Sequence, residues 1–203
     1  MLNIKRPFDL FLSGIGILLS APIWVLIALA IKLEDGGPVF YGQERVGQAG
    51  RLFTGWKFRS MVEDSDARFG PRQATLDDPR VTGVGRLLRA TALDELPQLW
   101  NILRGEMSFV GPRALATQEI EVKGNGEPVP LEKIPGYVAR HQVRPGLTGV
   151  AQIYAARDIR RKHKFKFDLL YIKKQAFWLD VKLIALSFWI TFRGKWEERG
   201  RKF

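Results

Sequence analysis

The apolar run that begins near Phe8 and continues to Ile31, with Asp9 as its one charge, constrains this chain more than any other feature. An unbroken helix over those residues would be about 36 Å long at 1.5 Å per residue, enough to cross a hydrocarbon core of about 30 Å. A plain transmembrane helix is therefore the simplest reading. Ser20-Ala21-Pro22, at the middle of the run, weakens it. Pro22 has no N–H to give to the Leu18 carbonyl and its ring presses on that carbonyl, so a kink is expected. In lipid the freed carbonyls need another donor, and the Ser20 hydroxyl is the nearest. Each arm is then roughly 18 Å long and reaches only partway across the core. A helix-break-helix that enters and leaves on one face competes with a kinked span. Lys5 and Arg6 before the run and Lys32 after it give no charge asymmetry that separates the two.

A cleaved signal peptide fits poorly, because the apolar part is too long and Lys32-Leu33-Glu34-Asp35 follows it without a small-residue cleavage site. The chain has 203 residues, 46% of them hydrophobic, which suits one compact domain plus a membrane element. It has no cysteine and two histidines, His141 and His163, so thiolate chemistry is excluded and a His-rich zinc site is improbable. Its net charge of +11 is concentrated late: residues 157 to 203 hold 14 Lys/Arg against 5 Asp/Glu. There "FWLDVKLIALSFWITFRGKW" (177 to 196) mixes aromatics with bases as interfacial helices do, and anionic lipid is the expected partner. An ordinary core helix with a solvated basic face is the alternative. "RDIRRKHKFKFD" (157 to 168) also alternates bases with aromatics, but no helix-turn-helix, zinc-finger or RNA-motif signature accompanies it, so nucleic acid is not expected.

Between the apolar run and the basic end, alternation predicts a hairpin from 37–47 and 51–61, with its turn at Gln48-Ala49-Gly50. A polar helix is expected to start over 62–69, and "GNGEPVP" (124 to 130) reads as a loop. "RLLRATALDELPQLWNILRGEMSFVGPR" (86 to 113) is the most informative stretch. Leu96, Leu99, Trp100 and Leu103 recur at helical spacing, and Gly105 ends the helix. Pro97 is harmless only in the first turn, which makes Asp94 the N-cap, with a Thr91 to Asp94 capping box as the competing phase. Asp94 and Glu95 are then either helix-start carboxylates favoured by the dipole or, among Lys57, Arg59, Arg80, Arg86 and Arg89, part of a phosphate site in which carboxylates hold Mg²⁺ or attack phosphorus. Residue types alone leave both open.

"YGQERVGQAGRLFTGWKFRSM", "DDPRVTGVGRLLRATALDELPQLWNILRGEMSFVGPR" and "RPGLTGVAQIY" resemble, in order and spacing, the bacterial sugar transferase family, the monotopic phosphoglycosyl transferases. The resemblance runs from "KRPFDL" (5 to 10) to "FWLDVKLI" (177 to 184). It implies transfer of a sugar 1-phosphate from a UDP-sugar to undecaprenyl phosphate with release of UMP, through a covalent aspartyl phosphosugar and with Mg²⁺. Carried over, Asp94 is the nucleophile, Glu95 supports metal binding or proton handling, and Arg89 and Arg86 meet phosphate. Lys57, Arg59, Asp78 and Arg80 line or brace the site. Pro112 and Arg113 match the Gly-Pro-Arg-Pro motif of the nucleotide end, except that Ala114 replaces the last proline and returns φ freedom to the loop. Arg144, Thr148 and Gln152 are further candidates from the Pro-Gly-x-Thr-Gly-x-x-Gln stretch, and "IYAARD" after it departs from the commoner Asn-Gly-Arg version.

The expected architecture is thus an α/β monotopic membrane protein. It comprises a re-entrant helix-hairpin (1–33), broken at Ser20 and Pro22, a small mixed catalytic domain (34–175) and a C-terminal amphipathic interfacial segment (176–203). Little precedes the apolar run, so the small form of the family is expected rather than the form with an added multi-helix membrane domain. The resemblance sets the chain on the cytoplasmic face of a bacterial inner membrane, with homodimerisation left open. A UDP-sugar hydrolase and a non-enzymatic basic membrane scaffold are the rival readings.

Overall fold

The computed structural model describes residues 2–63, 65, 78–122, 127–156, 159–194 and 196. The polar helix expected over 62–69 and the end of the "IYAARD" departure fall largely outside these. The chain opens with a single helix, α1 (Leu2–Asp35), which carries Pro7 and Pro22 inside it. Helical structure therefore continues through the expected break. Ser20 does act on the local carbonyls, but two residues before Leu18: its hydroxyl donates to Gly16 O at 2.6 Å and accepts from Trp24 Nε1 at 2.9 Å. This ties the segments before and after Pro22 together through side chains.

One face of α1 lies along the rest of the protein over its whole length. Near its start Lys5 pairs with Asp180 and also donates to Tyr171 Oη and Val110 O, both at 3.1 Å. Arg6 donates to Ile102 O and Leu103 O at 2.6 and 2.9 Å, capping carbonyls in the last turn of a helix with a cation. Asp9, fully buried, accepts from Phe109 N at 3.1 Å. Near its end Ile27 and Ile31 pack on Phe58 and Leu88, Glu34 accepts from Val84 N, and Asp35 takes both arms of the Arg59 guanidinium. The opposite face is apolar and open: Phe11, Leu18, Leu19, Val25, Leu26 and Leu33 are exposed. α1 is long and apolar enough to cross a membrane.

β1 (Phe40–Val46) and β2 (Leu52–Phe58) form the expected antiparallel hairpin, in register from Phe40↔Phe58 to Val46↔Leu52. Its turn uses positive φ at Ala49 and Gly50, 55° and 78°. β4 (Leu115–Ala116) pairs with the other edge of β1. β3 (Ser108–Val110) runs parallel to β7 (Gly146–Thr148), and this pair joins the two glycine-bearing motifs backbone to backbone. A Cβ at Gly146 would overlap Gly111 N, and one at Gly149 would overlap Gly111 O. Glycine is needed there for close approach. β5 (Ile120–Val122) pairs with β6 (Pro128–Pro130), which corrects the end of the 124–130 loop to a strand.

The helices are α2 (Gly83–Thr91), α3 (Gln98–Arg104), α4 (Tyr137–Arg140), α5 (Val150–Tyr154), α6 (Arg161–Lys173) and α7 (Phe177–Phe192). α7 has a buried face and an exposed one. Leu183, Ile184 and Ile190 join the main core with Ile102, Phe109 and Val110, while Trp178, Phe188, Trp189 and Phe192 are exposed.

Candidate active site

A cleft of about 1070 Å³ opens between α1, the β1–β2 hairpin and the segment from α2 to α3. Its lining combines two kinds of side chain. Leu12, Ile15, Leu19 and Ile23 of α1 and Ile184 and Phe188 of α7 are apolar. Arg113, Arg140, Arg161 and Lys164, with Glu119 and Gln152, are polar or charged. Asp94 and Glu95 are also on its walls.

The acidic pair sits in a 3₁₀ turn, Leu93–Glu95, that leads through Pro97 into α3. Leu93 and Leu96 pack against the cluster of Ile27, Ile31, Phe58 and Leu88. That anchoring fixes the turn while the carboxylates meet Lys57. Pro97 falls at the helix start, where a missing N–H costs nothing. Neither capping phase expected for this stretch is observed. Asp94 makes no cap hydrogen bond, and the Thr91 hydroxyl donates back to Leu87 O at 2.8 Å. Before the turn Ala92 adopts φ 55°, a left-handed conformation that costs a non-glycine residue about 1–2 kcal/mol. Such strain is held in place by its surroundings and gathers at functional sites.

Lys57 Nζ lies 2.6 Å from Glu95 Oε1 and 3.3 Å from Asp94 Oδ2, and Arg113 Nη2 lies 3.2 Å from Glu95 Oε1. Lys57 is held in place by a buried amide. Asn101, fully buried on α3, accepts from Trp56 N at 3.1 Å and donates to Thr54 O at 2.7 Å, locking β2 to the helix that follows the acidic pair. Burial pushes the Asp94 carboxyl above its ordinary value, with Lys57 opposing and Glu95 adding to the rise. Burial acts the same way on Glu95, but Lys57 and Arg113 outweigh it and hold that carboxyl well below the usual range. The two neighbours are thus driven apart, which is how sites assign distinct roles to paired carboxylates.

Cations crowd the polar lining. Burial and then Arg113 push Arg45 down to about 10, and the same two causes push Arg161 to about 10. Burial lowers Arg89 as well; Asp94 opposes that shift and Arg113 adds to it. Like charges this close, in a cleft, suit a polyanion such as a diphosphate.

Of the residues singled out in the sequence, Lys57, Arg89, Asp94, Glu95, Arg113, Thr148 and Gln152 all line this cleft. Arg59 lines it too, with its guanidinium committed to Asp35 and, at 2.7 Å, to Pro38 O. Arg80 is buried against Asp78, Nη2 to Oδ2 at 2.8 Å, and braces the chain before α2. Arg86 is exposed on α2, and Pro112 is buried with its carbonyl accepting from Gly146 N at 2.9 Å. Arg144 lines a separate pocket of about 240 Å³ beside Lys5 and Tyr171. Sequence reasoning missed Arg45, Arg140 and Arg161. The last belongs to the stretch weighed as a nucleic-acid surface, whose Phe165 and Asp168 are buried and whose Arg161 and Lys164 turn into the cleft.

The bacterial sugar transferase profile matches residues 1–194. The chain belongs to the bacterial sugar transferase family. Among its relatives, the undecaprenyl-phosphate glucose phosphotransferase of Komagataeibacter xylinus is 46% identical over 190 residues, which are 90% of this chain and 35% of that protein. The UDP-glucose:undecaprenyl-phosphate glucose-1-phosphate transferase of Escherichia coli K12 is 42% identical over 198 residues, 95% of this chain and 41% of that protein. The exopolysaccharide production protein ExoY of Rhizobium meliloti is 37% identical over 194 residues, 89% of this chain and 81% of that protein. The chain thus spans about two fifths or less of the first two family members and most of the third.

Removing the Lys57 charge is expected to move the acid limb of the family reaction's pH profile. Burial raises the Asp94 pKa and Lys57 is the main group lowering it, so a step that needs ionised Asp94 would lose its support with the lysine charge. Lys57→Met should therefore shift the acid limb of kcat/KM upward by about 1–3 pH units, the usual effect of losing one close opposite charge. An unmoved limb would show that Lys57 does not govern the charge on Asp94.

Proposed function

We propose that this chain transfers a sugar 1-phosphate from a UDP-sugar to undecaprenyl phosphate, releasing UMP, as a monotopic phosphoglycosyl transferase. The observation that carries the reading is the cleft itself: its lining combines apolar side chains of α1 and α7 with a cluster of arginines, and buried Asp94 stands on the same walls. An isoprenoid phosphate and a nucleoside diphosphate sugar need such a pair of environments joined at one point. The Escherichia coli relative is named for UDP-glucose and undecaprenyl phosphate, and the Komagataeibacter relative for undecaprenyl phosphate and glucose.

The reaction has two displacements. An Asp94 carboxylate oxygen attacks the phosphorus that bears the sugar, the bond from that phosphorus to the UMP oxygen breaks, and UMP leaves with the electron pair. The acceptor's phosphate oxygen then attacks the same phosphorus, and Asp94 departs as carboxylate from a product in which a diphosphate links sugar and lipid. A carboxylate is a weak nucleophile toward an anionic diphosphate, so cations must lower the repulsion. Arg89 and Arg113 supply that charge, and Lys57 favours the ionised form of Asp94 against the effect of burial. Using one site twice lets each phosphate occupy the same arginines in turn.

Mg²⁺ fits the donor set in the manner usual for phosphate chemistry, with one or two protein carboxylates and the remaining positions left to substrate oxygens and water. Asp94 and Glu95 would hold it; among the described residues no group of three or more His, Cys, Asp or Glu is placed to hold a metal by itself. Bound there, it would neutralise diphosphate charge.

The membrane part of the proposal is a helix that enters and leaves on the cytoplasmic face of the inner membrane. Its support is that both ends of α1 dock on the same globular body, Lys5 and Arg6 at one end and Glu34 and Asp35 at the other. A helix with its ends on opposite sides of a bilayer could not do this. The exposed aromatics of α7 and the late basic residues suit anionic headgroups. The chain contains no cysteine, so Asn3→Cys provides a unique label. It should be modified from the cytoplasmic side alone, and adding Ser20→Ala with Pro22→Leu should expose it to the periplasm. Cytoplasmic labelling in that variant would show that the Ser-Ala-Pro segment does not set the topology.

The activity is tested with the protein in lipid nanodiscs, undecaprenyl phosphate and a panel of UDP-sugars. Acceptor-dependent, multiple-turnover UMP release is expected with at least one sugar. Sugar 1-phosphate released without the acceptor would make the chain a hydrolase.

A further inference from the structure

The loop that carries Arg113 is held by two guanidinium groups on successive carbonyls. Arg140 Nη2 donates to Arg113 O at 2.6 Å, and Arg45 Nη1 donates to Ala114 O at 2.6 Å. Arg140 comes from α4 and Arg45 from β1, so the two peptide oxygens are gripped by different elements. Arg45 is itself fixed, because Nη2 donates to Gln43 Oε1 at 2.8 Å, two residues away on the same face of the strand. β2 makes room for it at Gly55, where a Cβ would stand 2.7 Å from Arg45 Cδ and 3.0 Å from its Nε. A bulkier residue at 55 would have to displace the arginine stem.

This arrangement answers the substitution noted at position 114. Ala114 leaves the loop a φ freedom that proline would remove, so the loop must take its rigidity from elsewhere. Carbonyl clamps provide it, and they do so next to the side chain that reaches Glu95. Desolvating a guanidinium is costly, so a half-buried arginine whose bonds go to a backbone carbonyl and a neighbouring amide earns its place through what those bonds position.

We infer that Arg45 is a positioning residue for the transfer reaction: by clamping the Ala114 carbonyl it holds Arg113 on Glu95 and aims that guanidinium at the donor diphosphate. The inference rests on the transferase reading above. Arg45 acts through Arg113, and the two should behave as one unit.

The test is a double-mutant cycle in nanodiscs on kcat/KM for UMP release. Arg45→Met is expected to lower kcat/KM about 10–100-fold, the usual cost of a small misplacement at a reacting centre. In the Arg113→Met background, Arg45→Met should cost no more than about 3-fold, because effects passing through one shared contact do not add. Arg45→Lys should recover part of the loss, since its ammonium can still donate one bond to Ala114 O. Losses that multiply in the double variant would overturn the inference; they are the signature of direct substrate contact through Arg45 Nε, which is buried without a hydrogen-bond partner among the described residues. If Arg45→Met fails to fold, Gly55→Ala displaces the same stem and must show the same non-additivity with Arg113→Met. Wild-type protein that released no UMP would sink the transferase reading and this inference together, whereas wild-type activity with multiplied losses sinks the inference alone.

Discussion

Asp94→Asn is expected to reduce sugar-phosphate transfer at least about 10³-fold while leaving the protein folded, as loss of a covalent nucleophile does when binding groups survive. Asparagine keeps the shape of the side chain and removes the anion. Asp94 is 5% exposed, and its carboxyl is pushed up by burial, meaning that the folded protein resists the charged form the reaction needs. The neutral variant should therefore melt at the wild-type temperature or above it. Such a site stores instability for the sake of activity. Thermal melting and UMP release measured on the same preparation check both halves. Activity within about 10-fold of wild type would remove Asp94 from the role of covalent nucleophile.

The largest stability effect is expected at Asp168. Its carboxylate receives Arg140 Nε at 2.8 Å, with both side chains nearly fully buried, and the Arg140 guanidinium lies 4.8 Å from the Phe165 ring centroid. Burial raises the Asp168 carboxyl, and Arg140 opposes the rise. Removing one member of a buried pair leaves the other charge uncompensated, which costs about 3–5 kcal/mol. At about 2–4 °C per kcal/mol for a chain of this size, Asp168→Leu should lower the melting temperature by roughly 10 °C. The same change should weaken transfer, because Arg140 also holds the Arg113 carbonyl. An unchanged melting temperature would show that Arg140 finds its stability elsewhere.

Local features were legible in the sequence and long-range ones were not. The β1–β2 hairpin follows from alternation and a glycine-bearing turn, and α3 ends at Gly105 in the left-handed conformation, φ 86°, that its sequence anticipates. Asp94 could be placed at a helix start but not in its 3₁₀ turn, because the packing of Leu93 and Leu96 on residues from α1 and β2 fixes the phase. Arg80 read as a site cation, although Asp78 two residues earlier was available to close a local pair. Arg45 carried no signal, since an arginine in an alternating strand reads as a solvated side chain. Its importance depends on a carbonyl 69 positions away. The β3–β7 pairing joins strands of three residues each, too short for periodicity to reveal; Gly111, Gly146 and Gly149 were the trace it left.

The central claim is that one buried carboxylate carries the phosphosugar between donor and acceptor. Intact mass spectrometry of the protein mixed with its UDP-sugar in the absence of undecaprenyl phosphate tests it most directly. The account predicts one phosphosugar adduct per chain, located on Asp94 by peptide mapping, absent from Asp94→Asn and discharged when acceptor is added. An unmodified protein that still transfers at full rate once both substrates are present would contradict it.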